Sequence, residues 1–126
     1  MKLSLPKSGN YRIAWSADLH APYHDPAAVK LAQQVIHEYQ PHLLILGGDL
    51  LDAYGISKFL KKPNSADFQF ELNKLQTILA DFCAAAPKAQ KVYLIGNHEA
   101  RLEKHLLERA PALVSLKALQ LPNLLE

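Results

Sequence analysis

Three times along the chain a short apolar segment stops on a polar turn rich in Asp, Asn or His, and between these segments the apolar residues recur with a helical period. Tyr11 to Ala17 runs into Asp18, Leu19 and His20. His42 to Leu46 runs into Gly47, Gly48 and Asp49, and Val92 to Ile95 breaks at Gly96, Asn97 and His98. The second and third segments are compact and apolar, which predicts strands covered on both faces, as in a parallel sheet. A parallel pair needs a crossover of a dozen or more residues, and each interval is long enough to supply one. The pattern predicts an α/β chain, a parallel sheet with crossover helices, carrying its polar clusters at the carboxyl ends of the strands.

The helical intervals carry their own signals. Asp25 followed by Pro26 predicts an N-cap with proline at the first helical position, and Ala28, Leu31, Ala32, Val35, Ile36 and Tyr39 then recur three and four residues apart as far as Gln40. From Asp67 onward, Phe68, Leu72, Leu75, Leu79 and Phe82 hold one helical face until Pro87. Cys83, beside that stripe, is expected as a small buried hydrophobe. Leu102 and Leu106 begin a further helix that must stop before Pro111, and a last helical stretch is predicted from Ala112 to Leu119. Leu50 to Ala66, with Gly55, Lys61, Lys62 and the breakers Pro63, Asn64 and Ser65, reads as mostly loop.

In open α/β sheets ligands gather outside the carboxyl ends of the strands, where loops converge and helix N-termini point. The three clusters deliver there the carboxylates of Asp18 and Asp49, the imidazoles of His20 and His98, and the amide oxygen of Asn97. Such oxygen donors mixed with histidine nitrogens suit manganese, iron or zinc and would suit a soft thiolate site poorly. Asp18 and His20, one residue apart on a backbone leaving a strand, point to the same side and can share an ion. Asn97 sets a neutral oxygen ligand beside His98, a candidate proton donor or charge stabiliser. The other polar residues read as ordinary: Asp52 as an exposed turn carboxylate, Glu99 as a first-turn helix acid, His24 as a neighbour of the N-cap, His37 and His105 as solvated surface. Lys58, Lys61 and Lys62 with Tyr54 and Phe59 could meet a polyanion, but read more simply as a solvated loop.

Composition narrows the setting more than the function. The chain has 126 residues with 14 basic against 12 acidic side chains, a formal charge of +2, so it is one modest domain without the charge excess of a nucleic-acid or membrane-surface binder. A single cysteine forms no internal disulfide, and MKLSLPKSGN has no signal-peptide core. No apolar run approaches the roughly 20 residues that cross a bilayer, so no membrane partner and a cytoplasmic setting are expected. Neither a G-x-x-x-x-G-K-[ST] nor a G-x-G-x-x-G loop is present, which disfavours a nucleotide-binding α/β domain.

Asp18-Leu19-His20, Gly48-Asp49 and Gly96-Asn97-His98-Glu99, in this order and each after a predicted strand, resemble the D-x-H, G-D and G-N-H-E motifs of the calcineurin-like metallophosphoesterases. SADLHAPYHD and GNHEARLEKHL look most like bacterial and phage-borne members. The resemblance implies a phosphohydrolase, expected to act on diesters, with two divalent ions. Asp18 and His20 would hold one ion, Asp49 would bridge both, Asn97 would bind the second, and His98 would act near the leaving-group oxygen. Two such cations roughly 3.5–4 Å apart clamp phosphate oxygens and generate hydroxide from a bridging water. A phosphate ester is the implied substrate, with nucleotides and nucleic acid among the candidates.

The family pattern continues through a second half with a further metal-binding His and a G-H-x-H motif, whereas no histidine follows His105 and no Gly-His pair occurs. The family fold is a sandwich of two sheets flanked by helices, of which this chain holds about one. Residues 1–126 are therefore expected to be a single partial domain, the N-terminal half of a longer phosphoesterase. Its apolar face would be left for a C-terminal half or a second copy to cover. The competing reading is a non-catalytic module that keeps the scaffold and acts through self-association or partner binding.

Overall fold

Strands β1 (Ile13–Ser16), β2 (Leu43–Leu46) and β3 (Gln90–Tyr93) pair in parallel in the order β1-β2-β3 in a computed structural model that describes residues 9–60 and 67–126. The register sets Ser16, Leu46 and Tyr93 level, so all three strands end at one edge. This is the α/β architecture that the alternation of periods predicts. The crossovers are α1 (Pro26–Tyr39) and α2 (Phe68–Ala85), which pack on each other. Asp25 caps α1 as expected, its carboxylate accepting from the amides of Ala27 at 2.8 Å and Ala28 at 3.2 Å, with Pro26 first in the helix. Asp67 caps α2 through the Phe70 amide at 2.7 Å.

The core is what these elements bury together: Val29 and Ile36 of α1, Leu72, Leu75, Ile78 and Phe82 of α2, and Leu44 and Leu46 of β2. Leu50 and Leu51, fully buried just beyond β2, extend it under the loop that carries Asp49. The apolar anchors on one side of Asp49 therefore hold a polar loop against the core. β1 is less covered, and Ile13 and Trp15 are about half exposed or more, at 49% and 60%. Among the described residues no helix is long and apolar enough to cross a membrane.

Several expectations are corrected. β3 starts before the predicted Val92–Ile95 and ends at Tyr93: the Leu94 amide still donates to the Leu46 carbonyl at 2.8 Å, but β2 offers no partner beyond that rung, and Leu94 and Ile95 turn to solvent. Cys83 is exposed, because it lies one residue, about 100° of helical turn, past Phe82 on the buried face of α2. α3 (Arg101–Arg109) stops before Pro111 as predicted, but the helix expected from Ala112 to Leu119 is instead two 3₁₀ turns, Pro111–Leu113 and Lys117–Leu119, followed by the short α4 (Leu121–Leu124). That stretch is mostly exposed and has no core face to hold a longer helix. The described part of the loop after β2 contains one 3₁₀ turn, Tyr54–Ile56, whereas Lys61, Lys62 and the breakers up to Ala66 lie outside the described residues.

Candidate metal centre

Past the ends of β1 and β2 the chain stays paired. The Asp18 amide donates to the Gly48 carbonyl at 3.1 Å, His20 to Asp49 at 3.0 Å, Ala21 to Leu50 at 2.7 Å, and Asp52 back to Ala21 at 2.9 Å. Along this ladder Asp18, His20 and Asp49 adopt left-handed backbone, with φ of 56°, 53° and 51°. A non-glycine residue in that region costs on the order of 1–3 kcal/mol. Local strain therefore falls on three of the predicted site residues. The third loop comes equally close: a Cβ on Gly96 would overlap the Asp49 carboxylate and amide, so only glycine lets the turn after β3 touch the turn after β2.

Glu99 locks the two turns together. It is buried, and its carboxylate accepts from the amides of Asp49 at 2.9 Å, Leu50 at 2.8 Å, Leu51 at 3.0 Å and Gly96 at 2.9 Å, and from the Tyr93 hydroxyl at 2.8 Å. The expectation of an ordinary first-turn acid is corrected: Glu99 sits in the turn before α3 and reaches inward. Its bond to the Gly96 amide, three residues earlier, closes the turn that carries Asn97 and His98. Burial, and then the Glu99 charge, push the Tyr93 hydroxyl far above its ordinary pKa, so it stays a donor at physiological pH.

Asp52 is also corrected, from an exposed turn carboxylate to a central one with an 18% exposed side chain. Its Oδ2 lies 3.3 Å from His20 Nδ1 and 3.8 Å from His98 Nδ1, and its Oδ1 lies 3.8 Å from the Arg101 guanidinium. The Asp52 backbone carbonyl accepts from His98 Nδ1 and from Arg101, both at 2.8 Å. With the proton on Nδ1, His98 Nε2 is left to accept from Arg101 at 3.1 Å. The His98 amide donates to Asp49 Oδ1 at 2.9 Å, and the rings of His20 and His98 meet edge to face at 4.5 Å.

One donor atom from each of His20, Asp49 and His98 lies within 4.8 Å of the other two. Two imidazole nitrogens and a carboxylate oxygen so placed fit a divalent ion such as zinc, iron or manganese. Asp18 and Asn97 are both exposed; Asp18 is not part of that triplet, and Asn97 lies at the inner end of a cleft along α3. The structure thus gathers His20, Asp49 and His98 and surrounds them with Asp52, Glu99 and Arg101, which sequence reasoning had not assigned to the site.

A parallel sheet that delivers imidazoles and a carboxylate to the carboxyl edge of its strands defines an α/β protein with a candidate metal site. The calcineurin-like phosphoesterase family profile matches residues 11–122, and the chain belongs to that family. Its class of chemistry is metal-dependent hydrolysis of phosphate esters. Comparison with the curated proteins and with the solved structures finds no match.

Proposed function

We propose that the chain hydrolyses phosphodiesters at a two-metal centre, with Asp18, His20, Asp49 and Asn97 as ligands and His98 serving the leaving-group oxygen. The observation that supports this reading most directly is the convergence of His20, Asp49 and His98 at the carboxyl edge of the sheet. Divalent ions held there would supply Lewis acidity toward a phosphoryl oxygen and a water of lowered pKa. The chain's own contribution is positional. Glu99 fixes the Asp49 backbone, and the His98 amide on Oδ1 fixes the rotation of its carboxylate. The Asp52 carbonyl on Nδ1 sets the orientation of the His98 ring, whose Nε2 is held beside the Arg101 guanidinium. Arg101, beside Nε2, is placed to meet negative charge on the phosphoryl oxygens.

Manganese titration followed by an aryl phosphodiester assay tests the reading. Turnover is expected only with added metal, and Asp49→Ala is expected to lower kcat/KM by about 100-fold or more, beyond the effect of losing a supporting partner of a ligand. Metal binding with no turnover of the diester would sink it.

One observation favours a second reading, a module acting through self-association. Trp15, Leu31 and Val35 are 56–61% exposed on the flank formed by β1 and α1, where they line a shallow groove of about 590 Å³ with Ile13 and Tyr39. Contiguous apolar surface of this kind marks an interaction site. Sedimentation velocity decides: a concentration-dependent dimer abolished by Trp15→Glu supports the reading, and a monomer at every concentration removes it.

A further inference from the structure

We propose that the cleft between α3 and the loop after β2 is a groove for single-stranded nucleic acid that leads into the candidate metal centre. The inference rests on the hydrolytic reading only in calling the bound strand a substrate. The groove itself stands on its own geometry.

The cleft encloses about 710 Å³, with Ile56 to Phe59 as one wall and α3 as the other. Its permanent cations are Lys58, Arg101, Lys104 and Arg109, against the single carboxylate of Glu108. That carboxylate is already matched: its Oε1 lies 2.7 Å from Lys58 Nζ, and this hydrogen bond holds its pKa below the ordinary value. Arg101 is engaged by Asp52 at one end, while Lys104 and Arg109 face the cleft with Glu108 as the one carboxylate of its lining. From Arg101 to Arg109 the helix axis advances about 12 Å. That is the span of about three phosphates of a stacked strand at roughly 3.4 Å each.

On the opposite wall Phe59 is 70% exposed. Cations in line with an aromatic ring hold a single strand by its phosphates and by one base stacked on the ring. A duplex keeps its base faces inside and offers Phe59 nothing, which decides between the two forms. At the inner end the cleft is lined by Asn97 and Arg101. Arg101 also bonds His98 Nε2 and the Asp52 carbonyl, so a phosphate drawn along the groove arrives beside His20, Asp49 and His98. The overall charge of +2 hides this feature because it averages a local positive stripe over the whole chain. Lys58 and Phe59, read from sequence as a solvated loop, acquire their meaning from α3 across the cleft.

Fluorescence anisotropy with a short labelled oligothymidylate in EDTA reads the groove without hydrolysis. Binding is expected that weakens steeply with salt. Replacing Lys104 and Arg109 together by alanine should flatten the slope of log K against log salt by about 1.4, at roughly 0.7 per phosphate contact on a single strand. Phe59→Ala should weaken binding by about 5- to 150-fold and Phe59→Trp should retain it. All these side chains are exposed, and circular dichroism checks that each variant is folded. No binding at low salt, an unchanged salt slope in the double variant, or equal affinity for a duplex of the same length overturns the groove. Oligonucleotide binding without manganese-dependent turnover of the aryl diester supports the groove and counts against the hydrolytic reading. Turnover without oligonucleotide binding overturns the groove and leaves that reading standing.

Discussion

Glu99 and Glu71 are the buried carboxylates among the described residues, and both accept hydrogen bonds from the loop after β2. Glu99 takes the amides of Asp49, Leu50 and Leu51 at the inner end, and Glu71, from α2, takes those of Tyr54 at 3.1 Å and Gly55 at 2.8 Å at the outer end. Asp52 lies between the two anchor points. Glu99 also holds Gly96 and Tyr93, so it joins the turns that carry the metal-site candidates. Glu71 ties only one helix to one turn in this way, and burial, with Asp52 adding to it, raises its pKa against the opposing pull of the amides. The contrast separates two tasks: one carboxylate sets the geometry of the site, and the other sets where the loop leaves toward the groove wall at residues 56–59.

The largest expected effect follows from weakening the inner anchor. In a Glu99→Gln variant one side-chain oxygen becomes an NH₂ group facing backbone donors, so amides of the Asp49 loop lose their acceptor inside the protein. Hydrogen bonds to a charged group contribute about 1.5–3 kcal/mol each, and more than one is lost. A drop of about 3 kcal/mol in urea unfolding is expected, with manganese affinity falling in the same variant because Asp49 is no longer fixed. Stability within about 1 kcal/mol of the wild-type chain would show that the Glu99 cage is not what holds the turns together.

Weakening the outer anchor should do less and should carry a pH signature. Glu71→Gln is expected to cost about 2 kcal/mol at acid pH, from one lost amide acceptor in a buried place. Because burial raises its pKa, folded Glu71 keeps its proton over an interval above the ordinary value of 4.5 in which the unfolded chain has released it. Its contribution is therefore complete below the unfolded value and is lost as pH rises through the raised folded one. The Glu71→Gln variant has no proton to release there, so its deficit relative to the wild-type chain should shrink from acid toward neutral pH. Urea midpoints across that range check the sign, and a deficit that grows with pH would mean that burial is not the dominant influence on this carboxyl.

The same two residues show what the sequence could and could not reveal. Strand, helix and cap signals are local: Asp25 with Pro26, or Asp67 before its apolar stripe, names its own element without reference to distant parts of the chain. The limits of β3 are not legible in the sequence, because the apolar run continues past the last rung that β2 offers. His20, Asp49 and His98 are legible as candidates because Asp and His are metal-ligating residue types and their spacing is distinctive. Glu99 is not, since its partners on the Asp49 loop are backbone amides 48–50 residues away. A backbone amide has no residue identity, so nothing in the sequence marks it as a partner. Asp52 is not marked for a related reason: its importance comes from His20, in the loop after β1, and from His98 and Arg101, at the entry to α3, meeting around it.

Between the anchors, Asp52→Asn should have the smallest effect of the three, and it should fall on function. The backbone carbonyl that receives His98 Nδ1 and Arg101 survives the substitution, so the ring keeps its main support. What is lost is the negative charge that lies 3.3 Å from His20 Nδ1 and 3.8 Å from Arg101. Carboxylates that orient a ligating histidine typically alter metal affinity or activity by 10- to 100-fold, and with the carbonyl intact the effect should sit at the low end, roughly tenfold. Manganese titration by calorimetry reads it directly, while urea unfolding should move little. A fall in stability matching that of Glu71→Gln would make Asp52 part of the loop's anchoring. A tenfold loss of metal affinity at nearly unchanged stability would place it with the site, where its distances to the two imidazoles put it.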